Sequence, residues 1–362
     1  MILQPDKMNL AEIGFDSFFS ANCTGDGLLP GRIISESRNV YTLICGYGEI
    51  PAEATGKLVY GALGREDLPA VGDWIEFSPV DDGTRGIIHR ILPRKTSLKR
   101  KAVGKPTDSQ VIAANIDIVF IVQGLDGNFN QRRLERYIIA VKASGAKPVV
   151  LLSKSDLHSP QDVGEFIAQA KESAKDVEIM AYSSHDMDSV DLISTIIGKG
   201  VSTCFVGSSG VGKSTLINKI SGSDIATAEV RAGDSKGRHT TSRKSLMFLE
   251  NGGMVIDTPG MREIGILDTA DGIDGTFPEI AELSDGCRFR DCTHTDEPEC
   301  AVLNAVECGD IEQKRYESYI KLMREAEYMR AKMNEGTRTA TKRRTKHYKK
   351  WIREVDKFKG RT

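Results

Sequence analysis

The chain has 362 residues, more than one ordinary domain of roughly 100–200 residues, and its 49 Lys and Arg against 51 Asp and Glu give a net charge of −2. From Arg338 onward eleven basic residues meet two acids, leaving 38 basic and 49 acidic residues upstream, and a basic tail on an acidic body suits a nucleic-acid partner. No apolar run approaches the roughly 18 residues of a membrane helix and the start, MILQPDKMNL, lacks the pattern of a signal peptide, so a cytoplasmic protein without membrane contact is expected.

Residues 1–30 show no sustained period and read as a leader of unknown structure. Residues 31–100 contain five short runs rich in Val, Ile, Tyr and Trp: Arg32–Ser37, Val40–Cys45, Glu53–Tyr60, Trp74–Pro79 and Thr84–Ile91. Five strands in so short a span predict a small closed barrel, an OB-fold in preference to an SH3-like barrel. LPRKTSLKRK, residues 92–101, carries five basic residues and reads either as an RNA-facing extension or as a solvated linker.

Over residues 101–270 strand and helix alternate, the pattern of an α/β sheet covered by helices. The expected strands are Ile116–Val122, Pro148–Leu152, Val177–Ala181, Val201–Val206, Lys244–Leu249 and Gly253–Asp257, with an amphipathic helix at Gln131–Ser144. Residues 271–335 hold a cysteine cluster and a charged helix from about Ile311 to Asn334. Residues 336–362 form the basic tail, where TKRRTKHYKKWIR sets His347, Tyr348 and Trp351 among cations, a composition suited to phosphate neutralisation and base stacking on RNA.

Gly207-Ser208-Ser209-Gly210-Val211-Gly212-Lys213-Ser214 fits G-x-x-x-x-G-K-[ST], lies between an apolar strand and a helix, and continues with Thr215. Glycines let the backbone amides face phosphates, Lys213 reaches the β- and γ-phosphates, and Ser214 is the Mg²⁺ ligand. Asp257-Thr-Pro-Gly260 fits the D-x-x-G that follows a P-loop in GTPases, with Asp257 on the metal side and the Gly260 amide at the γ-phosphate. Ser153-Lys154-Ser-Asp156 resembles the guanine-reading N-K-x-D with Ser for Asn, and Tyr182-Ser183-Ser184 resembles the S-A element beside the base. The base-reading pair precedes the phosphate-binding set, the reverse of the ordinary order, so the domain is expected to be circularly permuted. A P-loop ATPase or kinase, and an RNA-binding protein that keeps nucleotide as a structural element, are the competing readings.

Three of the seven cysteines crowd into fourteen residues, which in a reducing compartment favours metal over disulfides. Cys287, Cys292, His294 and Cys300 supply a closed tetrahedral donor set, so one structural Zn²⁺ is expected, with Cys308 as the substitute ligand. Cys23, Cys45 and Cys204 read as packing residues.

Barrel, permuted GTPase and C-x4-C-x-H-x5-C module in this order resemble the ribosome-small-subunit-dependent GTPase A family over about residues 31–330. Gly237-Arg-His-Thr-Thr241 looks like its switch segment, and Cys287-Arg-Phe-Arg-Asp-Cys292 with His294, Glu297-Pro298 and Cys300-Ala-Val like its zinc module. Ser153 for Asn and Ser242 for a third Thr depart from the family pattern. The resemblance implies an assembly factor that binds GTP and GDP, acts late in 30S maturation, and leaves after hydrolysis; 16S rRNA is the expected contact and the protein is expected to be a monomer. Thr240 or Thr241 would close over Mg²⁺. Met261 replaces the Gln that positions water in Ras-type enzymes, which leaves His239 as the candidate catalytic group beside Lys213.

Overall fold

The computed structural model describes residues 9–37, 40–101, 109–222, 244–257, 273, 276–289 and 292–324. The five strands of the N-terminal barrel are β1 (Leu29–Ser37), β2 (Val40–Cys45), β3 (Gly48–Ala54), β4 (Trp74–Val80) and β5 (Arg85–Ile91). They run in the order β1-β2-β3-β5-β4, and β4 returns to pair with β1, with Arg32 opposite Trp74. That closure, with β3 and β5 parallel, is the five-stranded Greek-key OB arrangement and not an SH3-like one. Its interior is filled by Ile33, Leu43, Ile50, Ile75, Phe77 and Ile88.

One expected barrel strand is partly a helix. The pairing of β3 ends at Ala54, and Gly56–Gly61 forms α1 because the Thr55 hydroxyl accepts the Leu58 amide at 3.3 Å and caps the turn. Within the leader, Leu10–Ile13 is a 3₁₀ turn and Ser17–Ala21 a short helix capped by Asp16.

The basic segment after the barrel is structural. Ser97–Lys101 (β6) pairs with Ser109–Ala114 (β7) as a two-stranded ribbon. Arg94 makes a bidentate contact with buried Asp73 at 2.7 Å to each oxygen and also donates to the Glu66 and Leu68 carbonyls. Lys95 pairs with Asp16, and Lys99 with Glu66. Three of the five charges expected to face RNA or solvent are therefore neutralised within the fold.

The α/β domain comprises β8 (Ile118–Gly124), α2 (Gln131–Ala143), β9 (Lys147–Ser153), α3 (Pro160–Ser173), β10 (Glu178–Tyr182), α4 (Met187–Ile196), β11 (Ser202–Val206), α5 (Lys213–Ser221), β12 (Lys244–Phe248) and β13 (Met254–Asp257). Every residue of β8 and β11 is buried, as expected of parallel strands covered on both faces. Helix α2 starts at Asn130, whose side chain accepts the Arg133 amide, and packs Leu134, Ile138 and Val141 on the sheet. Helix α3 opens with Pro160 and a reciprocal Ser159–Asp162 capping box. The strand order is β10-β9-β8-β11-β13-β12, parallel except for β12.

Barrel and α/β domain form one continuous sheet of eleven strands, because β1 pairs with β12 through Ser35–Ser245 and Glu36–Lys244. Their core is shared: Ile13, Phe19, Val71 and Trp74 pack with Val119, Ile121, Met254 and Ile256. Gly72, at φ +92°, sits where a Cβ would come within 2.1 Å of the Ala114 carbonyl oxygen, so the two units meet backbone to backbone. Arg32 is 1% exposed and ties the junction together. It donates to Ile13 O at 2.5 Å, Asn115 O at 3.2 Å and Ser202 Oγ at 2.8 Å, with its guanidinium 5.4 Å from the Trp74 ring centre. Burial pulls its pKa down to about 10, with Asp117 and Asp73 opposing, so it stays charged at neutral pH.

The C-terminal module contains α6 (Pro278–Ser284), α7 (Ala301–Cys308) and α8, helical over 313–324. Ile139 of α2 joins its core with Phe277, Ile280, Val302 and Tyr319. Arg315 fixes the contact: it donates to Glu135 of α2 at 3.1 Å, Glu279 at 2.7 Å and the Thr276 carbonyl at 2.7 Å, and lies 4.2 Å from the Phe277 ring centre. Among the described residues no helix is long and apolar enough to cross a membrane.

Arg32→Leu should strand the buried acceptors at the junction and destabilise the protein by about 3 kcal/mol. A urea titration followed by tryptophan fluorescence should show a lowered midpoint; an unchanged midpoint would remove Arg32 from this role.

Candidate nucleotide site and Cys3His centre

Gly207 leaves β11 at φ +141°, and a Cβ there would lie 2.2 Å from the Val122 carbonyl oxygen, so only glycine lets the loop turn against β8. Gly210 and Gly212 are also left-handed, and Gly212 opens α5. Val211 is buried and anchors the loop, while Ser209, Gly210, Ser214 and Thr215 are exposed. Lys213 Nζ donates to Gly207 O at 2.7 Å and Ser208 O at 2.6 Å, which holds the ammonium over the loop it starts from. Asp257 ends β13, the strand beside β11, on the Lys213 side; burial raises its pKa and the Lys213 charge opposes the rise.

Ser153-Lys154-Ser155-Asp156 follows β9 and Ser183-Ser184 follows β10, adjacent parallel strands. Ser183 Oγ donates to Asp156 Oδ1 at 2.6 Å, and this bond holds the exposed Asp156 carboxyl below its ordinary pKa. Lys154 is left-handed at φ +65°, and its ammonium pairs with Asp126 at the end of β8, lowering the Asp126 pKa. Ser153 is 3% exposed and donates to Val211 O of the P-loop at 2.7 Å. The serine thus keeps a direct tie between the two loops although the customary Asn is absent. His239, Thr240, Thr241 and Gly260 lie outside the described residues, as do Met261, Ser242 and the tail Thr341–Arg353.

Cys287, Cys292, His294 and Cys300 converge, with their donor atoms all within 4.8 Å of one another. The Cys287–Cys300 sulfurs are 3.8 Å apart, and His294 Nδ1 lies 3.5 and 3.4 Å from them. A tetrahedron with metal–sulfur bonds near 2.3 Å and metal–nitrogen bonds near 2.05 Å has edges of about 3.5 to 3.8 Å, so Cys287, His294 and Cys300 lie at the spacing of such an ion, with Cys292 within 4.8 Å of them. Ser284 Oγ gives its proton to Ile280 O at 2.7 Å and therefore accepts from His294 Nε2–H at 3.1 Å. That bond fixes the tautomer and leaves the Nδ1 lone pair facing the sulfurs.

Glu297 folds the loop between the donors. Its carboxylate accepts the Thr293, Thr295 and Asp296 amides at 2.7, 3.0 and 3.2 Å and the Thr293 hydroxyl at 2.6 Å, and these bonds hold its pKa well below the usual carboxylate range. The Tyr316 hydroxyl donates to the His294 carbonyl at 2.6 Å and ties the loop to α8. Cys308 is exposed at the end of α7 and does not join the cluster, because the helix that starts at Cys300 carries it away. Cys45 and Cys204 are buried packing residues and Cys23 is half-buried against the shared core. Sequence reasoning overlooked Arg32, Asp126, Ser284 and the tie made by Glu297; of these only Glu297 carried a signal, through its place in the family pattern.

A P-loop on the central strand of this sheet, preceded in the chain by the two loops beside it, defines a circularly permuted P-loop GTPase. A family profile described as RsgA GTPase matches residues 91–267. A small ribosomal subunit biogenesis GTPase RsgA from Opitutus terrae is 38% identical over 369 aligned positions, covering 98% of this chain and 100% of the relative. RsgA 2 from Lactiplantibacillus plantarum is 43% identical over 323 positions, 89% of this chain and 90% of its own length. The crystal structure of YjeQ from Thermotoga maritima superimposes with a TM-score of 0.60 at 27% identity, covering 83% of this chain and 98% of that one. YloQ, described as a circularly permuted GTPase, gives 0.60 at 26% identity, covering 84% and 96%. The chain belongs to the RsgA family of GTPases.

Elemental analysis should find one metal ion per chain in the parent protein and in Cys308→Ser, and almost none in Cys300→Ser. Loss of metal in Cys308→Ser would move the donor set.

Proposed function

We propose that the protein hydrolyses GTP during biogenesis of the small ribosomal subunit. The observation that carries this reading is the gathering of the P-loop, Asp156 and Ser183 at the carboxyl ends of neighbouring parallel strands, where α/β sheets bind ligands. In this reading the Gly207–Thr215 amides receive the phosphates, and Lys213 leaves its two carbonyls to pair with them. Ser214 and Asp257, with Thr240 or Thr241, would hold Mg²⁺, which supplies charge neutralisation at the transferred phosphate. The Gly260 amide would serve the γ-phosphate. Asp156 accepts the guanine N–H groups, the Lys154 stem covers the base, and Ser183 and Ser184 border it.

The Cys3His centre is read as a structural Zn²⁺ site, since all four positions of the tetrahedron are filled by protein. The barrel, residues 31–100, the zinc module, residues 271–335, and the tail, residues 336–362, are read as the surfaces that meet 16S rRNA. The expected setting is the cytoplasm, with the protein acting as a monomer. Catalysis is positional and electrostatic. Met261 has no group that holds water well, so the free enzyme is expected to be slow and His239 is the proposed water-positioning residue.

Asp156→Asn should shift preference from guanosine to xanthosine nucleotides, because the amide presents a donor where guanine requires an acceptor. Retained GTP selectivity would displace the base-reading assignment. Phosphate release should rise strongly on adding purified 30S subunits, and His239→Ala should lose most of the rise while still binding nucleotide and subunit. Stimulation that survives the substitution excludes His239; absence of stimulation in the parent overturns the ribosomal reading.

A further inference from the structure

Tyr182 ends β10 one residue before Ser183, and its side chain is 2% exposed in the core with Val122, Val211 and Leu216. Its hydroxyl has no hydrogen-bond partner among the described residues. The oxygen lies against the turn from the P-loop into α5: a Cβ built on Gly212 would be 3.8 Å away. Burial pushes the phenol's pKa up and the Ser153 hydroxyl beside it opposes the rise, although the two hydroxyls do not form a hydrogen bond. A buried hydroxyl left unpaired is costly, so a state in which it finds an acceptor is strongly favoured over one in which it does not.

Ser153 is the acceptor on hand. Its one proton goes to Val211 O at 2.7 Å, with Gln123 O at 3.3 Å as the longer alternative, and its lone pairs remain available. The neighbouring Lys213 ammonium is engaged with the carbonyls of Gly207 and Ser208. Phosphates would compete with those two carbonyls for Lys213, so nucleotide bears directly on the loop that carries Val211 and Gly212.

We propose that nucleotide binding completes a relay in which Tyr182 donates to Ser153 and Ser153 donates to the Val211 carbonyl. The pair thereby supplies the donor and acceptor that a single Asn supplies in N-K-x-D. Both are positioning residues: they touch neither base nor phosphate, and they lock the guanine-reading loop to the phosphate loop. The same strand end holds Asp156 through Ser183, so one short segment orients the carboxylate and registers the P-loop. This inference rests on reading Ser153–Asp156 as the guanine loop.

The test is a double-mutant cycle with Tyr182→Phe, Ser153→Ala and the double variant, read by fluorescent-GDP affinity and by thermal unfolding of nucleotide-free protein. Tyr182→Phe deletes only an unpaired group from the free protein, so its melting temperature should hold or rise while GDP affinity falls about fivefold. In the Ser153→Ala background the same change should cost nothing further. In the Ser153→Asn background, where the amide provides both functions, it should cost less than in the parent. Unchanged GDP affinity in Tyr182→Phe, a lowered melting temperature of the free variant, or additive losses in the cycle would each overturn the relay. Asp156→Asn separates the two levels: a switch to xanthosine nucleotides with unchanged affinity in Tyr182→Phe rejects only the relay, whereas retained guanine preference rejects the base-reading loop beneath it.

Discussion

A single buried guanidinium sets how the barrel stands on the α/β domain. Arg32 belongs to the first barrel strand, yet its donors satisfy a leader carbonyl at Ile13, a carbonyl at Asn115 just before β8, and a hydroxyl at Ser202 that opens β11. A planar fork reaches three separate segments at fixed angles, which a lysine ammonium would do poorly. Around it Phe15 and Phe19 pack on Trp74, and Asp73 is held by Arg94, so the aromatic and ionic contacts share one centre. Leader, barrel and sheet consequently form one core instead of two units on a linker.

The permutation changes chain order and leaves the spatial logic of the sheet intact. β11, with the P-loop, lies between β8 and β13. The loops proposed to read the base therefore fall on one side of it, and Asp257, the carboxylate proposed for the metal side, falls on the other. The module after the phosphate-binding set docks on α2 through Arg315 and Glu135, which ties it to the helix that precedes β9 and its S-K-S-D loop.

Motifs with fixed spacing were legible in the sequence because each demands particular residues at particular offsets: the P-loop, the S-K-S-D and Y-S-S pair, and the cysteine cluster. Barrel closure was legible only as a count of strands, since the β1–β4 pairing spans distant residues. Thr55 turned an apparent strand into a helix because a cap is a local hydrogen bond that periodicity does not register. Three charges of residues 92–101, Arg94, Lys95 and Lys99, pair with Asp73, Asp16 and Glu66, which lie elsewhere in the chain and so were not visible in the spacing. Arg32 left no signal at all, for an arginine in a strand reads as solvent-facing until its partners are known.

The seam between barrel and sheet has two paired positions, Ser35–Ser245 and Glu36–Lys244, whereas β8 and β9 share seven. β12 on the far side of that seam runs antiparallel to β13, pairing Ser245 with Asp257 itself. Ser245 therefore sits between a barrel residue and the carboxylate that closes β13. The first barrel strand is thus joined to the nucleotide side twice, through the Ser245 rung to the end of β13 and through Arg32 to Ser202 at the start of the P-loop strand, so barrel and phosphate loop share a frame at both ends of the sheet's central pair.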